Sequence, residues 1–306
     1  MQGGSGVIDP YRPSDAHAWV TLLNTVRRQP LGVEAFLERE GSRSPQDVQS
    51  RLVLRLGDTV AAIGQLSYSP YVPKEFLRLD LIVDERHRKI GLGGKLLSAL
   101  ETQVVANGFR GIYCEQDQGN KETVGWLRQQ GFEVAVRRRE SCLDFEEPNR
   151  PPPTMPPVGI SLVDFSSSGL DWELLFQFLQ NRLSETPDLR DMPPWTIDRI
   201  DEIFRRSPNA RPDWIILALC EGDPVGVSVM HQHTSDAYLY FVGVTPAFRG
   251  RNIGPALMQE LIRKASLAGC QHVSIDNRED NAAALRINDK LGLCARTVRL
   301  ELRKWT

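Results

Sequence analysis

The segment from Arg88 to Gly93 places an arginine and two glycines between an apolar run and a helix-like pattern. Backbone N–H groups at the start of a helix have no partner within that helix, and together with the helix dipole they attract anions. Glycine lets the chain turn sharply and lets a ligand approach the backbone, because it has no Cβ. The spacing predicts a loop that binds a pyrophosphate, to which Arg88 and Lys89 or Lys95 add positive charge.

Two other phosphate-binding patterns fit this loop poorly. A P-loop needs a glycine at the position of Lys89 and a hydroxyl residue after Lys95, where the chain has Leu96. A dinucleotide-binding fingerprint needs a third glycine at the position of Leu96, and it follows the first strand of its unit. The pattern R-x-x-G-x-G is satisfied at every position.

The same pattern occurs twice at one fixed spacing. An offset of 161 relates Arg88 to Arg249, Gly93 to Gly254 and Asn120 to Asn281 without a gap. Such a long ungapped correspondence indicates an internal duplication of domain-sized units. In the second copy Asn252 replaces the first glycine, and asparagine tolerates glycine-like backbone angles. Pro255 removes one N–H donor there, so the first loop is the better predicted phosphate site.

The elements that must position these loops follow the same order in both halves. Apolar periodicity and turn signals predict β-α-α-β-β-β-α-β-α followed by a closing pair of strands, an α/β arrangement with a mixed sheet. The proline-rich segment "EPNRPPPTMPPV" separates the halves. We therefore predict an N-terminal domain over residues 1–147, a linker over 148–158 and a C-terminal domain over 159–306.

Composition narrows the class of protein. The 306 residues are 25% charged with a formal net charge of -2, which gives no sign of a nucleic-acid partner. The most apolar window, "WIILALC", is too short to cross a membrane, and the N-terminus has no signal-peptide pattern, so we expect a cytoplasmic protein. No two cysteines have a zinc-type spacing, and we predict no metal site.

The segments "VDERHRKIGLGGKLL" and "VTPAFRGRNIGPALM", with "NKETVGWLRQQGF" and "NAAALRINDKLGL", resemble those of the GNAT superfamily of acyl-CoA N-acyltransferases. The resemblance covers nearly the whole chain, and the tandem arrangement is similar to that of mycothiol synthase-like acetyltransferases. It implies two tandem GNAT domains of α/β (α+β) class, each a mixed, mostly antiparallel sheet flanked by helices. It also implies transfer of an acetyl group from acetyl-CoA, as co-substrate, to a primary amine of a small molecule by direct attack.

In this family the coenzyme lies between two strands that separate beside the loop, and backbone amides there polarise the thioester. The resemblance therefore implies a set of coenzyme-binding residues in each half. They are Ile82, Val83, Arg88, Lys89, Ile90, Gly91, Leu92, Gly93, Gly94 and Asn120 in the first half, and Gly243, Val244, Arg249, Gly250, Arg251, Asn252, Ile253, Gly254 and Asn281 in the second.

The catalytic residues are less clear from the sequence. The tyrosine that usually protonates the leaving thiolate is replaced by Leu127 and by Asn288. Asp80, on the strand before the first loop, is the candidate base, and His231 and His233 are weaker candidates that we expect to be half-exposed strand residues.

Three readings stay open: an enzyme, a non-catalytic acyl-CoA-binding or scaffold protein, and one catalytic half beside one structural coenzyme-binding half. In mycothiol synthase-like proteins the C-terminal module is the usual catalyst, whereas here the first loop is the better phosphate site. The sequence leaves the catalytic half undecided, and it is compatible with a monomer or a homodimer.

Overall fold

The computed structural model describes residues 6–27, 29–42, 47–69, 72–145 and 153–306. Its contacts divide the chain into two compact units. Unit 1 consists of Met1–Gln116, Asn120–Ala135 and Glu301–Thr306, and unit 2 consists of Asp117–Gly119 and Val136–Leu300. The predicted linker at 148–158 lies outside the described residues as far as position 152, and residues 153–157 have no regular secondary structure.

Unit 1 is built on an antiparallel meander that ends in a parallel pair. Strand order is β1-β2-β3-β4-β5, with β4 and β5 parallel and the other pairs antiparallel. Gly57, at a φ of 58°, lies in the turn of the β2–β3 hairpin, where glycine favours this backbone conformation. The elements are β1 (Val7–Pro10), α1 (Ala16–Asn24), α2 (Val33–Ser42), β2 (Val48–Leu56), β3 (Thr59–Ser67), β4 (Phe76–Val83), α3 (Leu92–Ala106), β5 (Gly111–Asp117) and α4 (Lys121–Gln129).

The two faces of this sheet are covered by different helices. Helix α3 buries Leu96, Leu97 and Leu100 against one face, where Gly64 of β3 leaves room for the Leu100 side chain. Helices α1 and α2 bury Trp19 and Phe36 on the opposite face. Because side chains alternate along a strand, each face receives every second residue of β4.

Unit 2 repeats this plan. Its order is β6-β11-β10-β9-β8-β7, where β10 and β11 are parallel and the others pair antiparallel. The mixed, mostly antiparallel sheet predicted for each half is confirmed. The elements are β6 (Glu133–Asp144), β7 (Ser161–Asp164), α5 (Trp172–Leu183), α6 (Ile197–Asp201), β8 (Ala210–Cys220), β9 (Asp223–His233), β10 (Asp236–Val244), α7 (Ile253–Leu267), β11 (His272–Arg278), α8 (Ala282–Lys290) and β12 (Cys294–Trp305).

The closing strands differ from the prediction. Each half closes with one strand of 12 residues, β6 or β12, where the sequence predicts a pair. Residues Val136 to Asp144 of β6 belong to unit 2, where Arg138 to Asp144 pair with β11, whereas Glu301–Thr306 of β12 belong to unit 1. Each unit thus includes a closing segment from the other half of the sequence. The boundaries at 147 and 159 stay a prediction of where the sequence repeats end.

No helix in the described part of the chain combines the length and the apolar character needed to cross a bilayer.

Candidate functional site

Strands β4 and β5 separate beside the first glycine loop. They are paired only over the three positions Phe76↔Gly111, Leu77↔Ile112 and Arg78↔Tyr113. Strand β4 continues to Val83 and β5 continues to Asp117, so the remainder of each strand borders a gap. The loop after β4 and the start of α4 after β5 lie at the open end of this gap.

The direction of each backbone N–H follows from the ladder between β3 and β4. The amide of Asp84 donates to the carbonyl of Ala61 at 2.9 Å. Because successive amides of a strand point to opposite edges, the N–H of Ile82 also points toward β3. The amides of Val83 and Leu81 point into the gap. The backbone amides that can donate to a ligand in the gap are therefore those of Leu81 and Val83, whereas the amide of Ile82 points away from the gap.

The first loop has the backbone of an anion-binding turn. Lys89 has a φ of 64° and Gly91 a φ of 88°, and Gly91 is the N-cap of α3. The first bond within the helix runs from Lys95 N to Gly91 O at 3.1 Å. The amides of Leu92, Gly93 and Gly94 are consequently left without a partner inside the helix.

The glycines of this loop have different physical reasons. A Cβ built on Gly91 would meet no atom within 4 Å, so open space lies over this residue. A Cβ on Gly93 would meet the Trp126 ring at 3.2 Å and Val83 at 3.5 Å. Close packing of α3 on α4 and β4 explains Gly93 without a ligand, whereas Gly91 borders space that a ligand can enter.

The cations around the first loop are arranged unequally. Arg88 Nε donates to the carbonyl of Val83 at 3.2 Å, which fixes the guanidinium at the end of β4. Lys89 Nζ lies 3.1 Å from Glu122, with both side chains largely exposed. Lys95 Nζ donates to the carbonyl of Gly6, so its ammonium is already engaged. Arg88 is the cation that the structure leaves best placed for a phosphate.

We expect Lys89→Gly to stabilise the protein. A side chain in the left-handed region costs about 1–2 kcal/mol of folding free energy, and glycine relieves most of this strain. Part of the gain is offset because glycine increases the conformational entropy of the unfolded chain. The net gain should be about 0.5–1 kcal/mol in urea unfolding. Lys89→Ala loses the same exposed ion pair but keeps a Cβ, and it should show no gain. A larger gain for alanine would contradict the strain argument.

Two carboxylates flank the gap in unit 1. Arg78 and Tyr113 are paired and share a face, so Asp80 and Glu115, each two residues further, share it too. Tyr113 donates its hydroxyl to Glu115 Oε1 at 3.0 Å. Burial raises the pKa of the Cys114 thiol to about 12, and the charges of Glu115 and Asp80 act in the same direction. Asp80 is 47% exposed and lies 3.7 Å from Arg78.

The face that carries Asp80 continues into a polar cluster beneath α1 and α2. Gln65 lies opposite Asp80 on β3, and Arg51 Nε donates to Gln65 Oε1 at 2.5 Å. Arg51 also donates to Glu40 at 2.9 Å and lies 5.2 Å from the Trp19 ring centroid. Asp80 thus lies on the sheet face opposite the one that carries α3, and a small molecule could reach its carboxylate from that side.

In unit 2 the corresponding strands also separate. Strands β10 and β11 pair only at Asp236↔His272, Ala237↔Val273 and Tyr238↔Ser274. A bulge at Tyr240 gives β10 one extra residue relative to β9, which β4 does not have relative to β3. Because Thr245 N donates to Val225 O at 2.9 Å, the amide of Gly243 points toward β9. The amide of Gly243 thus points away from the gap, as that of Ile82 does, whereas the amide of Val244 points into it. Coenzyme binding at Gly243 and Ile82 stays a prediction.

The second loop has the same backbone as the first. Gly250 has a φ of 77° and Asn252 a φ of 60°, at the positions of Lys89 and Gly91. The left-handed conformation predicted for Asn252 is confirmed. The first bond within the helix is Ala256 N to Asn252 O at 3.2 Å, and Pro255 has no N–H. Only the amides of Ile253 and Gly254 remain, compared with three in unit 1.

The side chains at the second cleft are engaged by other residues of unit 2. Arg249 Nη2 donates to Glu185 Oε2 at 2.5 Å, and Asn281 Nδ2 donates to Asp188 Oδ2 at 2.8 Å. Arg251 lies over the Phe248 ring at 4.9 Å. A Cβ on Gly243 would meet Arg182 Cβ and the Phe241 ring, each at 2.8 Å. Several of the residues predicted to bind the coenzyme in unit 2 therefore already have partners within the protein.

The positions of the missing tyrosines are buried in both units. Leu127 is 3% exposed, and Asn288 is fully buried and donates to Asn277 Oδ1 at 2.9 Å. Neither side chain can deliver a proton to a leaving thiolate. The sequence-based doubt about the acid therefore holds in the structure.

His231 differs from the expectation of a half-exposed residue. It is 4% exposed, and its ring centroid lies 4.9 Å from that of Tyr240. Burial, with the nearby His233 acting in the same direction, lowers the pKa of His231 to about 4. His231 is therefore uncharged at neutral pH and packs as a core residue.

The stability of unit 2 should consequently fall on acidification. The unfolded state binds a proton at His231 below about pH 6.5, but the folded state does so only below about pH 4. Stability is thus lost as pH falls through this window, by about 2 kcal/mol between pH 7 and pH 5. His231→Phe should remove this part of the pH dependence in urea unfolding, whereas His233→Gln should retain it. An unchanged slope in His231→Phe would contradict the assignment.

Sequence reasoning missed Glu115, Arg182, Glu185 and Asp188. No sequence signal marked Glu115, because its place beside Asp80 depends on the register between β4 and β5. The other three lie on α5 or after it, and no motif marks their approach to the cleft.

Residues 16–132 and 175–293 match the Acetyltransferase (GNAT) family. An acetyltransferase from Pectobacterium atrosepticum is 38% identical over 101 residues, which cover 32% of this chain and 68% of that protein.

Two solved structures share the fold over nearly the whole chain. A GCN5-related N-acetyltransferase from Sphaerobacter thermophilus has a TM-score of 0.72 at 20% identity, covering 100% of this chain and 97% of the other. A tandem GNAT protein from the clavulanic acid biosynthesis pathway has a TM-score of 0.69 at 16% identity, covering 98% of each chain. At these identities the likeness shows the fold alone.

Proposed function

We propose that this chain, which belongs to the acetyltransferase (GNAT) family and is an acetyltransferase, moves an acetyl group from acetyl-CoA to a primary amine of a small molecule. We also propose that the reaction takes place in unit 1. One observation supports this above the others. In unit 1 a gap between separated strands, a glycine-capped helix start and a pair of carboxylates occur together.

The loop of unit 1 suits the pyrophosphate of the coenzyme. Three helix-start amides are free of intrahelical partners, open space lies over Gly91, and Arg88 lies beside them. Backbone amides and a guanidinium are the donors that phosphate oxygens prefer. The pantetheine arm would then extend along the gap, where Val83 and Leu81 offer amides to the thioester carbonyl oxygen.

The carboxylates suit the acceptor. Asp80 and Glu115 attract the ammonium form of an amine, and Asp80, the more exposed of the two, accepts its proton. The nitrogen lone pair then forms a bond to the carbonyl carbon, the carbon–sulfur bond breaks, and the nitrogen releases its second proton to water. A thiol of this kind has a pKa near 8.5, so the thiolate is a tolerable leaving group that takes its proton from water.

The test is thiol release from acetyl-CoA with a panel of small primary amines. We expect amine-dependent release of free coenzyme thiol and an acetylated amine detected by mass spectrometry. Acetyl-CoA binding without turnover for any amine would instead support a non-catalytic acyl-CoA-binding protein. Absence of acetyl-CoA binding in isothermal titration would exclude both.

A further inference from the structure

We propose that the segment Glu185–Asp191, which we call the latch, occupies the coenzyme cleft of unit 2, so that acetyl-CoA binds to unit 1 alone. The inference rests on the proposed function, since it takes the two loops as coenzyme sites. The sequence leaves the catalytic half undecided, and a latch in one cleft would restrict coenzyme binding to the other half. The latch follows α5 and includes a 3-10 turn at Pro187–Leu189.

The first contact of the latch is with the phosphate loop. Glu185 Oε2 accepts from Arg249 Nη2 at 2.5 Å, while its Oε1 accepts from Arg182 Nη2 at 2.8 Å. Arg249 Nε donates at the same time to the carbonyl of Val244 at 3.0 Å. The arginine that would bind a phosphate is thus neutralised by a carboxylate, and a bound pyrophosphate would be repelled by Glu185.

The second contact lies in the gap between the separated strands. Glu279 N donates to Arg137 O at 2.8 Å, toward β6, so the N–H of the preceding Arg278 points to the opposite edge of β11. That edge faces the gap beside β10. The N–H of Arg278 donates to Asp188 Oδ1 at 2.6 Å, which places the Asp188 carboxylate at the open end of the gap.

The same carboxylate also engages the cap of α8. Asp188 Oδ2 accepts from Asn281 Nδ2 at 2.8 Å and from Asn277 Nδ2 at 3.2 Å. The main-chain oxygen of Asp188 accepts from Arg138 Nη2 at 2.8 Å. Asp188 is only 15% exposed and has several charge-assisted or amide donors, so the contact is built into the fold.

The remainder of the latch fastens it to the end of β11. Arg278, which is 6% exposed, donates to Asp191 at 2.8 Å. Arg190 pairs with Asp280 in the turn after β11. Coenzyme binding in unit 2 would have to displace Asp191 from the buried Arg278 side chain, which would then keep its longer contact with Asp280 at 3.2 Å.

Unit 1 has no equivalent of the latch in its described residues. The corresponding connection follows α1, which ends at Asn24 as α5 ends at Leu183. Asn24 bonds to both backbone groups of Leu31 instead, and Arg27 Nε donates to the carbonyl of Gln29. In the described part of unit 1, Arg88 has no carboxylate partner. Asn120 accepts from Thr123 N of its own helix, as Asn281 accepts from Ala284 N, but within the described residues it donates to no carboxylate.

The length of the connection has the same consequence. Residues 25–32, eight residues, join α1 to α2, whereas residues 184–196, thirteen residues, join α5 to α6. The longer connection provides the chain that reaches both sides of the second cleft. The two units therefore differ in the length of this connection and in the carboxylates that it carries.

The test is the stoichiometry of acetyl-CoA binding, measured by isothermal titration on the full chain. We expect one site in the wild-type protein, lost in Gly91→Val and retained in Asn252→Val. Two sites in the wild type, or loss in Asn252→Val alone, would overturn the latch while leaving acetyl transfer from acetyl-CoA to an amine in place; loss in Asn252→Val alone would also move the reaction to unit 2. No binding at all would instead defeat the proposed function.

Neutralising the two carboxylates of the latch should allow acetyl-CoA to bind in unit 2 as well. We expect the double variant Glu185→Gln, Asp188→Asn to bind two equivalents, whereas Glu173→Gln on the exposed side of α5 should still bind one. A folded double variant that binds only one equivalent would contradict the inference.

A second measurement covers the case in which the double variant does not fold. In the wild type, hydrogen exchange at the Arg278 amide should be slow and unchanged by saturating acetyl-CoA. Fast exchange there, or a change of protection on binding, would show that the latch is open or displaced.

Discussion

Gly91→Val should lower the affinity for acetyl-CoA at least tenfold, about 1.4 kcal/mol of binding free energy, and lower kcat/KM by the same factor or more. The residue is left-handed, with a φ of 88°, and open space lies over it. A branched side chain there would project into the space that a pyrophosphate needs, and it would disturb the amides at the start of α3.

Gly108→Val provides the matched control. Gly108 follows the other end of α3, has a φ of 76°, and also has no atom within 4 Å of a built Cβ. Both variants should therefore lose a similar stability of about 1–2 kcal/mol from backbone strain. Only Gly91→Val should lose coenzyme affinity in isothermal titration. An equal loss of affinity in Gly108→Val would show that the effect of Gly91→Val comes from general destabilisation.

Asp80→Asn should lower kcat at least 100-fold while acetyl-CoA affinity stays within a factor of two. A positioned base contributes about 10²–10⁴ to a reaction of this kind, and the amide keeps the shape of the carboxyl group while losing its basicity. The residue borders the gap from β4 and lies away from the helix-start amides, so coenzyme binding should be separable from turnover.

Two comparisons define the role of this carboxylate. Asp58→Asn, in the exposed β2–β3 turn, removes one acid from the same unit and should leave kcat unchanged. Glu115→Gln should raise KM for the amine more than it lowers kcat, if Glu115 chiefly attracts the ammonium group. Full activity in Asp80→Asn would transfer the role of base to another residue.

Much of this protein could be predicted from local sequence. The turn residues between β2 and β3, the alternation along β4 and the glycine before α3 each specify a local backbone state, and neighbouring residues suffice to determine such states. The positive φ of Asn252 is a good example, since asparagine is among the few residues that adopt it readily. Family and cleft position follow from these features because the loop motif occurs twice in register.

The edge of the strand toward which a backbone amide points depends on long-range register. Ile82 and Gly243 lie at the right place along their strands, but their amides point to the neighbouring strand and not to the gap. A shift of one residue reverses this direction, and only the pairing of β3 with β4, or β9 with β10, decides it. Glu115 gains its significance in the same way, from its register opposite Asp80.

By itself, the sequence determined the duplication, the two glycine loops and the elements that carry them, since each depends on contacts between near neighbours. The tertiary structure alone decided that Val136 to Asp144 complete unit 2 and that Glu301–Thr306 belong to unit 1. In a duplicated chain either closing strand can satisfy the same edge, so local pattern cannot choose between them. The latch of unit 2 was decided in the same way, because the approach of Asp188 to Arg278 joins residues that lie 90 positions apart and that no periodicity connects.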